Sequence, residues 1–337
     1  MSDATDLEKR GGPSSWQPPE LIQTAPIFVW PPQPKGLLKA LFGFPGYLWP
    51  WNVLYSATAL LTWLFLTPSF ARMDRLAVGW IAIILLRNLA LIVLVASVWH
   101  LRLYVQRAQG TRYKYNGRWL STSSSHFLFH NQVLDNVFWT IVSAVPIWTA
   151  YEVLTLWAQA SGTIRLVSWQ AHPGYCLLLM LLIPLIHEIH FYILHRLLHW
   201  APLYRLVHSL HHKNVNPGPW SGLAMHPIEH MLYLSGVFLL WIIPSHPLHV
   251  LFYLQWVVFL PSQGHCGFGR VVLGKETTLN TDNYFHYLHH KYFEVNYGDQ
   301  LIPLDDWFGT FHDGSDKAQE TMNRRVLQRS ISKAARN

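Results

Sequence analysis

The chain has 337 residues, of which 51% are hydrophobic and only 13% are charged, whereas a soluble globular chain carries roughly 25% charged residues. This composition excludes an intrinsically disordered protein, which combines low hydrophobicity with high charge. The basic residues behind the net charge of +7 are spread along the chain. We therefore expect no nucleic-acid partner and interpret the excess charge as an attraction to membrane surfaces.

The N-terminal residues are rich in proline and glycine and contain no short apolar segment followed by a cleavage site. A secretory signal peptide is therefore not predicted. We expect residues 1–48 to form a flexible arm whose end contacts the membrane interface.

Four long apolar runs predict membrane-spanning helices, because a bilayer span needs about 20 largely apolar residues. These runs cover residues 51–67, 76–99, 133–157 and 175–194. Two shorter runs flank Pro244 and predict a hairpin; they cover residues 231–243 and 247–260. The sequence therefore predicts an all-α integral membrane protein with about four transmembrane helices plus a short or re-entrant helical hairpin.

The charges of the connecting loops predict the orientation of the chain in the membrane. The loop after the second run carries five basic residues, namely Arg102, Arg107, Arg112, Lys114 and Arg118. The turns on the opposite side carry only Arg72, Arg75 and Arg165. Since Lys and Arg are enriched in cytoplasmic loops, this basic loop and the histidine-rich region are predicted to lie on the cytoplasmic side. The loop is suited to anionic lipid headgroups or to an acidic electron-transfer protein.

Histidine is unusually frequent in this chain, since its 20 histidines outnumber the 18 acidic residues. Three boxes have the spacing that places imidazoles on one helix face: an H-x3-H pattern and two H-x2-H-H patterns. Their members are His195 and His199, then His208, His211 and His212, then His286, His289 and His290. Eight imidazoles exceed the coordination number of one ion. The boxes therefore predict a helical, histidine-rich cap that holds two metal ions.

The residue types around the boxes narrow the choice of metal. Cys176 and Cys266 are too few for a thiolate site. Imidazole suits Zn, Cu, Fe and Ni, whereas structural zinc more usually recruits thiolates. Carboxylates are scarce in this region, where Glu188 and Glu229 stand next to histidines. This pattern favours a histidine-dominated site of the iron type.

The order and spacing of these boxes resemble those of the membrane-bound fatty acid hydroxylase and sterol desaturase superfamily. The resemblance covers residues 188–310 and includes the segments EIHFYILHRLLH, HHK, MHPIE, NYG and DWFGT. The first of these begins with Glu188, where the family usually has Asp. We expect a fatty acid hydroxylase-like catalytic domain over residues 176–312. It would follow transmembrane helices and a basic loop over residues 49–175 and precede a polar tail over residues 313–337.

The resemblance implies a set of site residues. Two irons would be held by the eight histidines of the boxes, with His265 as a ninth ligand, and His226 and His230 are further candidates. Glu188, Glu229 and Asp306 are the candidate catalytic residues. Glu188 and Asp306 are expected to accept the second ring N–H of ligand imidazoles. Four other histidines lie in or at the ends of the apolar runs, and we expect them to be ordinary polar residues; they are His187, His190, His246 and His249.

The resemblance also implies an O2-dependent oxidation, either hydroxylation or desaturation, of a membrane lipid such as a sterol, a fatty-acyl chain or an aminolipid. The chain has no G-x-G-x-x-G dinucleotide motif. A separate electron donor is therefore expected, of the ferredoxin or cytochrome b5 type with its reductase. The short N-terminal arm and the lack of a fused cytochrome favour the bacterial inner membrane over the endoplasmic reticulum.

Two other functions are compatible with a histidine-rich membrane protein. A zinc-dependent membrane hydrolase would need a pattern such as H-E-x-x-H, and the nearest segment, which starts at His187, has the wrong spacing. A metal transporter would place its ligands near the bilayer midplane within broken helices. The boxes instead lie at or beyond the ends of the apolar runs.

Overall fold

The structure is a computed structural model, and it describes residues 15–274, 277–281 and 283–334. The first fourteen residues of the predicted arm and the last three of the predicted tail lie outside these described residues. The helices are α1 Pro34–Phe42, α2 Val53–Phe65, α3 Val78–His100, α4 Gln132–Trp139, α5 Val145–Ala160, α6 Pro173–Leu198, α7 Ala201–Leu203, α8 Ser209–His212, α9 Pro227–Leu234, α10 Pro247–Gly264, α11 Tyr284–Tyr292, α12 Leu304–Trp307 and α13 Asp316–Ala334. The strands are β1 Arg270–Val272 and β2 Thr278–Asn280, which pair antiparallel with Val271 opposite Leu279.

Three helical segments in the described part of the chain are long and apolar enough to cross a membrane. They are Val78–Val105, Gln132–Ala160 and Pro173–Leu198. A π-helical turn extends α3 in the first segment, and another joins α4 to α5 in the second. The predicted span at residues 51–67 appears as α2, whose 13 residues rise only about 20 Å along the axis. The predicted all-α membrane fold is confirmed, with three helices of spanning length where about four were expected.

The predicted hairpin is the centre of the bundle. Its first arm is α9 followed by the 3-10 helix Ser235–Trp241, and its second arm is α10. The turn between the arms reaches the end of the bundle opposite the histidine boxes, where the Val167 N–H donates to the Ser245 carbonyl at 3.1 Å. Sixteen of the eighteen residues of α10 are buried. A helix that is apolar on all sides is stable only when it is surrounded, which explains its central position.

A buried charge cluster joins α3 to α5 at mid-span. The Arg87 guanidinium pairs with the Glu152 carboxylate, and Asn88 Nδ2 donates to the same carboxylate at 3.0 Å. All three side chains are buried. Pairing inside the bundle offsets the high cost of a charge in the hydrocarbon region.

The described part of the N-terminal segment contacts the histidine-rich end of the molecule. The Trp16 N–H donates to the Lys114 carbonyl at 2.8 Å, and the Ile22 N–H donates to the Asp313 carbonyl at 3.1 Å. The C-terminal residues form the polar helix α13, whose Arg325 guanidinium donates to the Glu294 carbonyl. Both ends of the described chain therefore pack around the site.

Candidate metal centre

The histidines of the three boxes converge at one end of the helical bundle. His195 lies in the last turn of α6, and His199 follows directly after that helix. The second box lies on the wide turn Tyr204–His208 and on α8, and the third lies on α11. His265 follows the last residue of α10. Four helix ends or short helices thus bring these nine histidines to one region.

Five of these histidines form a first cluster, in which the candidate ligand atoms lie within 4.8 Å of one another. Its members are His195, His199, His208, His212 and His289. The Nε2 atom of His199 lies 3.1 Å from that of His212 and 3.2 Å from that of His289. The Nε2 atoms of His195 and His208 are 3.1 Å apart.

Four further histidines form a second cluster with the same spread of ligand atoms. Its members are His211, His265, His286 and His290. The Nε2 atom of His265 lies 3.0 Å from that of His290 and 3.0 Å from that of His286. The eight histidines of the boxes and His265 therefore divide into groups of five and four.

Hydrogen bonds at the outer ring nitrogens determine the tautomers of several imidazoles. His195 Nδ1 donates to the Tyr297 carbonyl at 2.6 Å, and His289 Nδ1 donates to the Val295 carbonyl at 2.6 Å. A carbonyl only accepts, so each Nδ1 carries the proton and each Nε2 presents a lone pair. His208 Nδ1 faces the Glu229 carboxylate at 2.7 Å, with the same consequence when that acid is ionised.

This arrangement provides a test of whether metal ions fit. With Glu229 ionised, the Nε2 atoms of His195 and His208 present two lone pairs to each other at 3.1 Å, and two acceptors cannot hydrogen-bond. A cation between them removes the repulsion. Two ligand atoms about 2.1 Å from a shared ion and at right angles would be about 3 Å apart, which matches the observed separations. The residues therefore fit a centre of two metal ions.

Burial keeps the ligand candidates in the form that binds metal. It lowers the pKa of His265 to about 4, and it also lowers the pKa of His286 and His290, with neighbouring imidazoles adding to the effect. The pKa values of His208, His211, His212 and His289 are lowered for the same reason. These imidazoles are therefore neutral at pH 7, as metal ligation requires.

His226 and His230 lie outside both clusters. His226 caps α9, where its Nδ1 accepts from the Ile228 N–H at 3.2 Å. His230 has partners at both ring nitrogens, Ser143 Oγ at 2.8 Å and the Leu223 carbonyl at 3.2 Å. The structure therefore leaves neither imidazole directed at the nine clustered histidines. The histidines expected to be ordinary polar residues, His187, His190, His246 and His249, also lie outside the clusters.

The three sequence-predicted acids occupy different environments. Glu229 contacts His208, as described above, whereas the Glu188 carboxylate accepts the backbone N–H of Asp299 at 3.0 and 3.1 Å and contacts no imidazole through a hydrogen bond. Asp306 is exposed. Its neighbour Asp305 is buried instead and accepts the Tyr297 N–H at 2.9 Å.

Asp305 is the site residue that the sequence did not identify. Its carboxylate also accepts the Gly298 N–H at 2.8 Å, so Asp305 and Glu188 together hold the loop whose Tyr297 carbonyl orients His195. The two adjacent aspartates stand in a helix of only four residues, and no periodicity in so short an element distinguishes the buried acid from the exposed one.

A cavity extends from the clusters between α6, α10 and the segment before α2. Its metal-facing wall consists of His195, His208, His211, His265 and His286. Most of the other wall is apolar and includes Phe191, Leu194, Trp256, Leu260 and Leu301, and the empty space including the mouth is about 1310 Å³. A long apolar molecule is the ligand class that such a wall accommodates.

Comparison with known proteins identifies the segment that carries this site. Residues 180–310 match the family described as fatty acid hydroxylase. A Delta(7)-sterol-C5(6)-desaturase of Nicotiana tabacum is 27% identical over 185 residues, which are 53% of this chain and 65% of the relative. A Delta(7)-sterol 5(6)-desaturase of Candida glabrata is 28% identical over 210 residues, 58% and 54% of the two chains. That of Eremothecium gossypii is 33% identical over 123 residues, 35% and 32%.

No solved structure matches the chain. The chain spans less than two thirds of the length of these relatives, at most 65% among the three. The matched segment nevertheless contains all nine clustered histidines together with Glu229 and Asp305. The resemblance seen in the boxes is thus confirmed for residues 180–310, which match the fatty acid hydroxylase family, and the relatives are named as sterol desaturases.

Proposed function

We propose that this protein is an O2-dependent di-iron oxidoreductase that introduces a double bond into a sterol held in a membrane. The observation that carries the proposal is the opening of two histidine clusters onto one apolar cavity. The names of the relatives favour desaturation over hydroxylation and a sterol over an acyl chain or an aminolipid.

The first cluster would hold one iron through five imidazoles and the second would hold another through four. Bound iron supplies the activation of O2 that is needed to remove hydrogen from an unactivated C–H bond. The nine imidazoles would be the ligands, and the structure favours no role as a ligand for His226 or His230. A zinc hydrolase needs far fewer of these histidines.

The residues of the chain itself perform three tasks in this proposal. Glu229 and the Tyr297 and Val295 carbonyls keep the Nε2 atoms of His208, His195 and His289, respectively, free to ligate. Glu188 and Asp305 hold the loop that contains Tyr297. The apolar cavity wall excludes water and aligns the lipid, which decides which carbon is oxidised.

Electrons would come from a separate protein, a ferredoxin or a cytochrome b5 with its reductase. Arg107, Arg112 and Arg118 are exposed on the basic loop, and an acidic donor would be attracted to them. We place the site on the cytoplasmic side because of the loop charges. The plant and fungal origin of the relatives favours the endoplasmic reticulum, rather than the bacterial inner membrane that the sequence alone favours.

The test is a reconstituted assay with purified protein in vesicles that contain a Delta(7)-sterol. The vesicles also receive NADPH, cytochrome b5 and its reductase. We expect O2-dependent loss of two hydrogen atoms from the sterol, measured by mass spectrometry, and about two irons per chain. A gain of one oxygen atom by the sterol would show that the reaction is hydroxylation and not desaturation. Turnover without O2, or a single tightly bound zinc, would overturn the proposal.

A further inference from the structure

One carboxylate in the cavity wall has no hydrogen-bond donor among the described residues. Asp299 lines the cavity, and its backbone N–H donates to the Glu188 carboxylate. Among the described residues, no donor hydrogen-bonds the Asp299 carboxylate itself. The structural role of this residue is therefore carried by its backbone, and its side chain is left for another purpose.

The surroundings make an unpaired carboxylate costly. Burial raises the pKa of Asp299 to about 7, and the nearby charge of Asp305 adds to this effect. Apolar and aromatic side chains, including Phe191, Tyr233 and Leu301, line the same cavity. Asp299 is half-buried, and a carboxylate that faces an apolar cavity without a hydrogen bond is unfavourable, so a ligand that brings a donor to Asp299 would offset that cost.

The neutral polar side chains of the cavity wall are already engaged. Gln263 Oε1 accepts from Tyr55 Oη at 2.8 Å, and Asn52 Oδ1 accepts from Trp256 Nε1 at 2.7 Å. Tyr233 Oη donates to the Val257 carbonyl at 2.9 Å. Glu229 differs from Asp299 because one of its oxygens is used by His208.

Asp299 shares the cavity with a histidine of the first cluster and lies in the loop that orients this histidine. Tyr297, only two residues earlier, accepts the hydrogen bond of His195 at 2.6 Å, and His195 lines the same cavity. A lipid anchored at Asp299 would therefore present to the clusters those carbons that are close to its own polar group.

We propose that Asp299 binds the hydroxyl group of the sterol substrate and so selects the ring carbons that reach the metal clusters. The inference rests on the proposed function. A sterol is an alcohol with its hydroxyl on carbon 3, and carbon 4 alone separates this carbon from carbon 5. Carbons 5 and 6 are the positions named for the relatives. Asp299 is a positioning residue in this scheme, since it touches the substrate away from the reacting bond.

The experiment compares a Delta(7)-sterol with its 3-deoxy analogue, which lacks the hydroxyl, in the reconstituted vesicle assay. The variants are Asp299→Leu and Asp299→Asn, with Glu320→Leu as the matched control because Glu320 is an exposed carboxylate on α13. Iron content is measured for each variant, so that loss of the metal centre is separated from loss of substrate recognition.

We expect the wild-type protein and Glu320→Leu to prefer the sterol to its deoxy analogue by about tenfold or more in kcat/KM, as a site built to bind a hydroxyl does. Asp299→Leu should abolish this preference at unchanged iron content by lowering kcat/KM for the sterol alone. Asp299→Asn should retain part of it, because the amide oxygen still accepts a hydrogen bond.

The inference is overturned if Asp299→Leu keeps the wild-type preference, or if it lowers turnover of both compounds equally together with iron content. If the wild-type protein is loaded with iron but oxidises neither compound, the proposed function itself fails. Equal turnover of both compounds by the wild-type protein would overturn the inference and leave the proposed function standing.

Discussion

His195 Nδ1 donates a hydrogen bond of 2.6 Å to the backbone carbonyl of Tyr297, 102 residues later in the chain. This bond connects the last turn of α6 to a loop that has no regular secondary structure. The loop keeps its conformation because Asp305 accepts the N–H groups of Tyr297 and Gly298. The position of an imidazole in the first cluster therefore depends on a carboxylate that does not itself contact a histidine through a hydrogen bond.

Asp305 is expected to matter far more than Asp306. Asp305→Ala removes the acceptor of two buried N–H groups, which should lower the free energy of unfolding by about 1–3 kcal/mol. It should also lower the iron content, because the Tyr297 carbonyl would move away from His195. Thermal unfolding and metal analysis of the purified variants would measure both effects. Asp306→Ala, at an exposed position, serves as the comparison, and equal losses in the two variants would contradict the arrangement.

Glu229 is expected to control the metal affinity of the first cluster. Glu229→Ala removes the acceptor at 2.7 Å from His208 Nδ1, and loss of such a partner typically costs about 10–100-fold in metal affinity or activity. Glu229→Gln should cost less, since its amide oxygen can still accept the N–H of the imidazole. Competition with a chelator would give the affinities. Identical affinities for Glu229→Ala and the wild-type protein would show that the contact has no influence on the ligand.

His289 and His226 should differ sharply in their effect on metal content. His289→Ala removes a member of the first cluster, so we expect loss of activity and of iron while the protein remains in the membrane fraction. His226 caps α9 and faces neither cluster, so His226→Ala should keep about two irons per chain and lose only about 1 kcal/mol of stability with its helix cap. Iron loss in the His226→Ala variant would assign this residue to the centre.

The charge cluster between α3 and α5 should be needed for stability and not for chemistry. Glu152→Leu leaves the Arg87 guanidinium buried without its partner, which should lower the free energy of unfolding by about 3–5 kcal/mol. The double variant Arg87→Leu with Glu152→Leu removes both charges and should recover much of this loss. Detergent-solubilised protein and thermal unfolding would give the comparison. If the double variant is as unstable as Glu152→Leu, the loss of stability does not come from an unpaired Arg87 charge.

The sequence by itself determined the features that depend on local periodicity and on residue type. Apolar runs of about 20 residues predict membrane spans. The spacing of His195 and His199 places both side chains on one helix face. The nine clustered histidines, including His265, are all among the ligand candidates that the boxes and the family they resemble indicate. These properties are local, so they do not depend on how the helices pack.

Only the tertiary structure decided how the ligands are shared between the two clusters. The neighbours His211 and His212 belong to different clusters, because successive residues on a helix point about 100° apart and each imidazole meets a different set of partners. The same cause separates His289 from His290.

The packing of distant segments likewise decided three other features. The central helix is α10, and Asp305 rather than Asp306 holds the loop that contains Tyr297. Asp299 lines the cavity, and its carboxylate has no hydrogen-bond donor in the part of the chain that the structure describes. Burial and hydrogen bonding of a side chain depend on segments that are far away in the chain, as the bond from His195 to Tyr297 illustrates. No local pattern in the sequence carries that information.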